Sequence, residues 1–98
     1  MNIAFQADND IDRTIVRILW QVEPTIDFRT AAEVDLHGLD DPTVLSLAAL
    51  EKRILVSSDQ TTMPHHFAEF IRIETSYGLL IAPQSLNLDV VVDELLMI

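Results

Sequence analysis

Three short segments each set aspartate between an apolar run and the start of a helical pattern: Ala7-Asp8-Asn9-Asp10, Leu39-Asp40-Asp41-Pro42 and Ser57-Ser58-Asp59-Gln60. Carboxylate oxygens are hard donors suited to Mg²⁺ or Mn²⁺, ions that keep several of their waters when a protein holds them. Chemistry of that kind is displacement at phosphorus, in which a bound water is the nucleophile, a metal steadies the leaving oxygen and no side-chain nucleophile is needed. In a chain that alternates strands with helices, such turns open onto one edge of the sheet, so Asp8, Asp10, Asp41 and Asp59 can gather there. Each also has a structural reading, because Asp10, Asp41 and Asp59 stand where a helix needs a side-chain acceptor for its first amides. Capping alone needs no second acid. Asp8 nevertheless accompanies Asp10, and Asp40 accompanies Asp41. Like charges at that range repel unless a cation lies between them.

Other chemistries have less to draw on. Serine catalysis needs a positioned histidine, and the histidines are His37 and the adjacent pair His65-His66. Neighbours on a helix point about 100° apart, so that pair offers one metal ligand at most, and surface or helix-start roles are expected. Arg13 and Arg17 lie one helical turn apart and either approach a phosphate or pair with surface acids. Thr61 and Thr62 follow Asp59 closely enough to help hold a water or to cap the turn. Trp20, Phe67, Phe70 and Tyr77 fall within apolar patterns and read as core. With glycine only at 38 and 78, no phosphate-cradling loop exists.

The composition suits one globular domain, 1–98: apolar residues make up 49% of 98 residues, enough for a real core. Cysteine is absent, which excludes disulfides and thiolate metal sites. Sixteen acids against six bases give a net charge of −10, which argues against a nucleic-acid binder that works through a basic stripe. A nuclease that gathers its acids around a metal escapes this objection, because the bound cation reverses the local charge. The longest uncharged stretch, Thr75 to Leu88, contains Pro83 and several polar residues, and the N-terminus lacks a basic region followed by an apolar one. A cytoplasmic protein without a membrane anchor is expected.

Positioning the acids requires the elements around them. Ile3, Phe5 and Ala7 alternate like a strand; Ile11, Ile15, Ile18, Leu19 and Val22 then recur at helical spacing, with Asp10 as the expected cap. Pro24 breaks that helix. Thr25 to Phe28 reads as a second strand, and an irregular or briefly helical segment leads to Gly38. The next helix has Asp41 as cap and Pro42 at its first position, and runs to about Lys52. Ile54-Leu55-Val56 reads as a buried parallel strand, a helix follows from near Pro64 through Phe67, Phe70 and Ile71, and Tyr77 to Ile81 is another strand. Leu88 to Met97 closes the series as a helix apolar around most of its axis. The order β-α-β-α-β-α-β-α implies a parallel sheet, right-handed crossovers and a three-layer α/β/α sandwich.

The three acidic segments, in this order and compact spacing, together with Thr61-Thr62-Met63-Pro64, Gly78-Leu79-Leu80-Ile81 and Pro83-Gln84, resemble small bacterial PIN-like proteins across nearly the whole chain. That resemblance implies a Mg²⁺- or Mn²⁺-dependent ribonuclease on an α/β/α sandwich, with catalytic and metal-binding roles for Asp8, Asp41 and Asp59; the further acid such nucleases carry would have to come from Asp10 or Asp40, and Asp10 is expected as the added metal ligand. It also implies a toxin restrained by a small antitoxin protein. The alternative is a catalytically weak PIN-like module that binds a partner, its acids serving as caps. A phosphoacceptor receiver domain shares the acidic turns but needs a lysine after a later strand, and the only lysine, Lys52, precedes the third. Leu95, Leu96, Met97 and Ile98 are expected to be covered in a homodimer or a partner complex.

Overall fold

Four short segments pair in parallel to form one sheet: Ala4–Ala7 (β1), Asp27–Arg29 (β2), Ile54–Ser57 (β3) and Leu79–Ile81 (β4), in the order β2-β1-β3-β4. The computed structural model describes residues 3–98, so residues 1 and 2 of the expected domain lie outside the described residues. Between the strands run Arg13–Val22 (α1), Asp41–Leu50 (α2) and Thr62–Phe70 (α3), with Leu88–Leu96 (α4) after β4 and a single 3-10 turn at Ala32–Val34. The alternation of strand and helix and the parallel sheet are thus as the periodicity implied.

Local chemistry sets the boundaries. Asp12, not Asp10, caps α1: its Oδ1 accepts from the Thr14 amide at 2.9 Å. The helix ends at Val22 because Pro24 disfavours helical geometry at Glu23. Asp40, not Asp41, caps α2 through the Thr43 amide at 2.9 Å, which leaves Asp41 as the first helical residue and Pro42 as the second. Both corrections have one cause. Where two acids stand side by side, periodicity locates the helix start only to within a residue or two, and the choice between them depends on which carboxylate can fold back onto the amides. At the entrance to β4, Gly78 takes φ of +127°, which residues with a side chain rarely adopt, while its carbonyl accepts from the Leu55 amide at 3.0 Å.

Alternation along the strands divides the core into two clusters. Phe5, Ala7 and Val56 pack with Ile15, Val16 and Leu19 of α1 and with Val91, Val92 and Leu95 of α4. Phe5 stacks on its register partner Phe28 at 5.3 Å between ring centroids. The neighbouring strand residue Leu55 points instead into a cluster with Val44, Leu45 and Ala48 of α2 and Met63 of α3. No described helix is long and apolar enough to cross a membrane.

Candidate functional site

A parallel sheet in this order has one topological switch point. The chain leaves β1 toward β2 on one side, and β3 lies on the other, which opens a crevice at the carboxyl ends of β1 and β3. Asp8 sits in that crevice. Its amide donates to the Val56 carbonyl at 2.8 Å, its side-chain Oδ1 accepts from the Asn9 amide at 2.8 Å, and the residue is only 8% exposed. Burial raises the Asp8 pKa above the usual aspartate value; the nearby Asp10 and Asp41 carboxylates push it further, while the Asn9 amide and the Ser57 hydroxyl work in the opposite direction.

The other acids divide by what holds them. Asp10 ties the loop after β1 to the loop after β3, because its carboxylate accepts from the Ser58 amide at 3.0 Å and from the Ser57 hydroxyl at 3.3 Å. Ser57 is fully buried and accepts in turn from the Asp59 amide at 3.1 Å. Asp41, at the start of α2, faces His66 of α3 with 3.9 Å between Oδ2 and Nε2. Asp59 is engaged elsewhere: Oδ1 accepts from the amides of Thr61 and Thr62, both at 2.9 Å, and Oδ2 accepts from the Met63 amide at 3.1 Å. Those bonds hold its carboxyl far below the usual aspartate range. Its contribution to stability is therefore present above the unfolded aspartate value and is lost only in strong acid. Asp8, Asp10 and Asp41 thus share one electrostatic neighbourhood, while the carboxylate of Asp59 is turned onto the amides that open α3.

Among the described residues, no group of three or more His, Asp or Glu side chains is arranged to hold one metal ion. A closed protein cage is therefore not built. The donors present at the crevice, hard carboxylate oxygens with one of them buried against two like charges, suit an ion that takes one or two carboxylates and keeps its waters, the habit of Mg²⁺.

A cleft of about 410 Å³ opens beside Asp8, lined also by Asn9, Arg13, Thr30, Asp35 and His37. Sequence periodicity placed Trp20 in the core, but it is 40% exposed, with its indole N–H donating to the Phe28 carbonyl at 3.2 Å. Tyr77 is likewise exposed rather than core. His65 is exposed and His66 half-buried, their rings edge to face at 5.7 Å, so the two point differently, as adjacent helical residues should. Ser57 stands in the third acidic segment, but its part in linking Asp10 to the turn of Asp59 was not expected; its signal was a polar side chain closing an otherwise apolar strand. Comparison of the chain with protein-family models, with curated proteins and with solved structures returns no match.

Proposed function

We propose that this chain is a divalent-metal-dependent ribonuclease of PIN-like, three-layer α/β/α type, working in the cytoplasm. The observation that carries the reading is the burial of Asp8 at the switch point with the charges of Asp10 and Asp41 turned on it. Isolated, such an arrangement destabilises the protein; with a cation beside it, the same repulsion becomes binding energy.

In this reading Asp8 and Asp41 hold Mg²⁺ or Mn²⁺, and Asp10 orients the outer waters from its seat on the Ser58 amide. When bound, the ion supplies a more acidic water and positive charge against the leaving oxygen of a phosphodiester. Asn9 holds the Asp8 carboxylate through its amide and anchors the loop by donating from Nδ2 to the Leu36 carbonyl at 3.0 Å. Asp59 is a positioning residue: it fixes the turn after β3 and, through its own amide, the Ser57 hydroxyl that contacts Asp10. Purified protein is expected to cut single-stranded RNA in Mg²⁺ or Mn²⁺ and to leave it intact with chelator. Equal products in both conditions would refute metal dependence, and no products in either would refute the nuclease.

One observation favours a second reading, a PIN-like module that acts by binding a partner: Asp40 and Asp59 are both spent on helix amides, as caps would be. The toxin form of the first reading also brings a small antitoxin protein as partner. Association has its own support. Leu95 is buried within the chain's own core, but Leu96, Met97 and Ile98 are exposed, Met97 at 81%. A homodimer that covers these three side chains is expected to sediment as twice the chain mass at micromolar concentration, and Met97→Glu is expected to return it to monomer. A native chain that sediments as a monomer would reject self-association.

A further inference from the structure

The cleft beside Asp8 does not end there. A second one, of about 280 Å³, shares Arg13, Val16, Thr30 and Ala32 with it and continues along α1 to Arg17 and Trp20. Arg13, Val16, Arg17 and Trp20 recur at helical spacing and form one stripe, so the two clefts make a single channel from the acidic crevice to the indole.

The charge in this channel is unusual for the chain. Arg29, Arg53 and Arg72 are each within 4.0 Å of a carboxylate, whereas among the described residues Arg13 and Arg17 have no such partner. Of the acids nearby, Asp8, Asp12 and Glu33 accept from backbone amides, while Asp35 also lines the first cleft. Asp12 caps α1, and Glu33 on the opposite wall forms a capping box with Thr30, its Oε1 accepting from the Thr30 amide at 3.1 Å while its own amide donates to the Thr30 hydroxyl at 3.2 Å. Two guanidiniums with no carboxylate within 4.0 Å, carried by a protein of net charge −10, therefore line a groove whose Glu33 carboxylate is held by the Thr30 amide. Trp20 adds the second kind of contact. Its N–H is tied to the Phe28 carbonyl, which fixes the ring while leaving it 40% exposed.

We infer that this channel is a track for single-stranded RNA, in which Arg13 and Arg17 contact successive phosphates and Trp20 stacks on an unpaired base. The spacing suits a strand: one turn of α1 separates the guanidinium-bearing positions by about 6 Å along the axis, near the separation of neighbouring phosphates. A duplex keeps its bases stacked on each other and offers nothing to the indole, so the aromatic surface selects a single strand. The inference takes its substrate class from the ribonuclease reading, yet it concerns binding and needs no metal.

The test is binding of a fluorescein-labelled single-stranded oligouridylate in chelator, where cleavage is silent, followed by anisotropy and by the emission of Trp20, the only tryptophan. Binding is expected to quench Trp20 and to fall with salt at a slope of about −1.4 in log–log form, as two phosphate contacts on a single strand require. Arg13→Ala or Arg17→Ala is expected to bring the slope to about −0.7. Trp20→Ala is expected to weaken binding about tenfold, while Trp20→Phe retains most of it; the phenylalanine variant also guards against a fold defect from the lost hydrogen bond. Unchanged affinity in the double arginine variant, unquenched Trp20 at saturation, or absence of binding would each overturn the track. The two readings fail separately. Metal-dependent hydrolysis of a small aryl phosphodiester by a protein that does not bind the oligonucleotide removes the track alone, and binding without hydrolysis removes the nuclease alone.

Discussion

Asp8→Asn is expected to lower metal-dependent RNA cleavage by about 10³-fold, the equivalent of about 4 kcal/mol of transition-state stabilisation, while making the metal-free protein more stable. The two effects have one origin. The carboxylate is buried at the end of β1 and faces the charges of Asp10 and Asp41, so without a cation its ionised form is a liability. An amide of the same shape keeps the oxygen that accepts from the Asn9 amide and removes the charge. The melting temperature of Asp8→Asn is expected to rise by about 5 °C in chelator, the shift that about 1 kcal/mol produces in a domain of this size. The pH dependence follows in sign. Because the folded pKa of Asp8 lies above the unfolded value of 3.8, the native state binds more protons in the interval between them, and native stability falls as pH rises through it. The advantage of Asp8→Asn should therefore open as pH climbs above 3.8 and persist at neutrality. A variant that melts below the native protein at neutral pH would show that the carboxylate is a structural anchor; one that cleaves normally would remove Asp8 from the chemistry. Many functional sites carry this trade of stability against activity.

The alternation of strands and helices was legible because each strand is a short apolar run and each helix has a marked start or stop. Pro24 ends α1, Pro42 lies in the first turn of α2 and Gly78 precedes β4. The gathering of Asp8, Asp10 and Asp41 was legible for a topological reason: turns after parallel strands share an edge whatever the details of the turns. The duties of individual acids were less so. Asp12 took the cap expected of Asp10, and Asp40 the one expected of Asp41. In each case the displaced acid takes a different partner, Asp10 the Ser58 amide and Ser57 hydroxyl and Asp41 the His66 ring, so which acid caps and which reaches another loop or helix was a single ambiguity. Asp59 shows the converse, since nothing in its local sequence separates a carboxylate turned toward the crevice from one folded onto the amides of Thr61, Thr62 and Met63. Trp20 was misplaced because periodicity identifies a face of a helix without saying how far its neighbours extend. The indole lies at the far end of α1, where Thr30, Ala32 and Glu33 form an open wall rather than a lid.

Mg²⁺ or Mn²⁺ is expected to stabilise the native fold strongly. An ion that binds the native crevice and not the unfolded chain contributes about 2.7 kcal/mol at a hundredfold excess over its dissociation constant, which for a domain of this size raises the melting temperature by roughly 10–20 °C. The increment should depend on Asp8 and Asp41, whose charges the ion would neutralise, and hardly at all on Glu69, which is paired with Arg72 on the surface at 3.5 Å. The most direct test is a melt of the native protein and Asp8→Asn, each in chelator and in saturating Mg²⁺ at constant ionic strength. The native protein should gain at least 10 °C from the ion while Asp8→Asn gains almost nothing. Equal gains in the two proteins, or none in the native one, would contradict a cation site at the switch point.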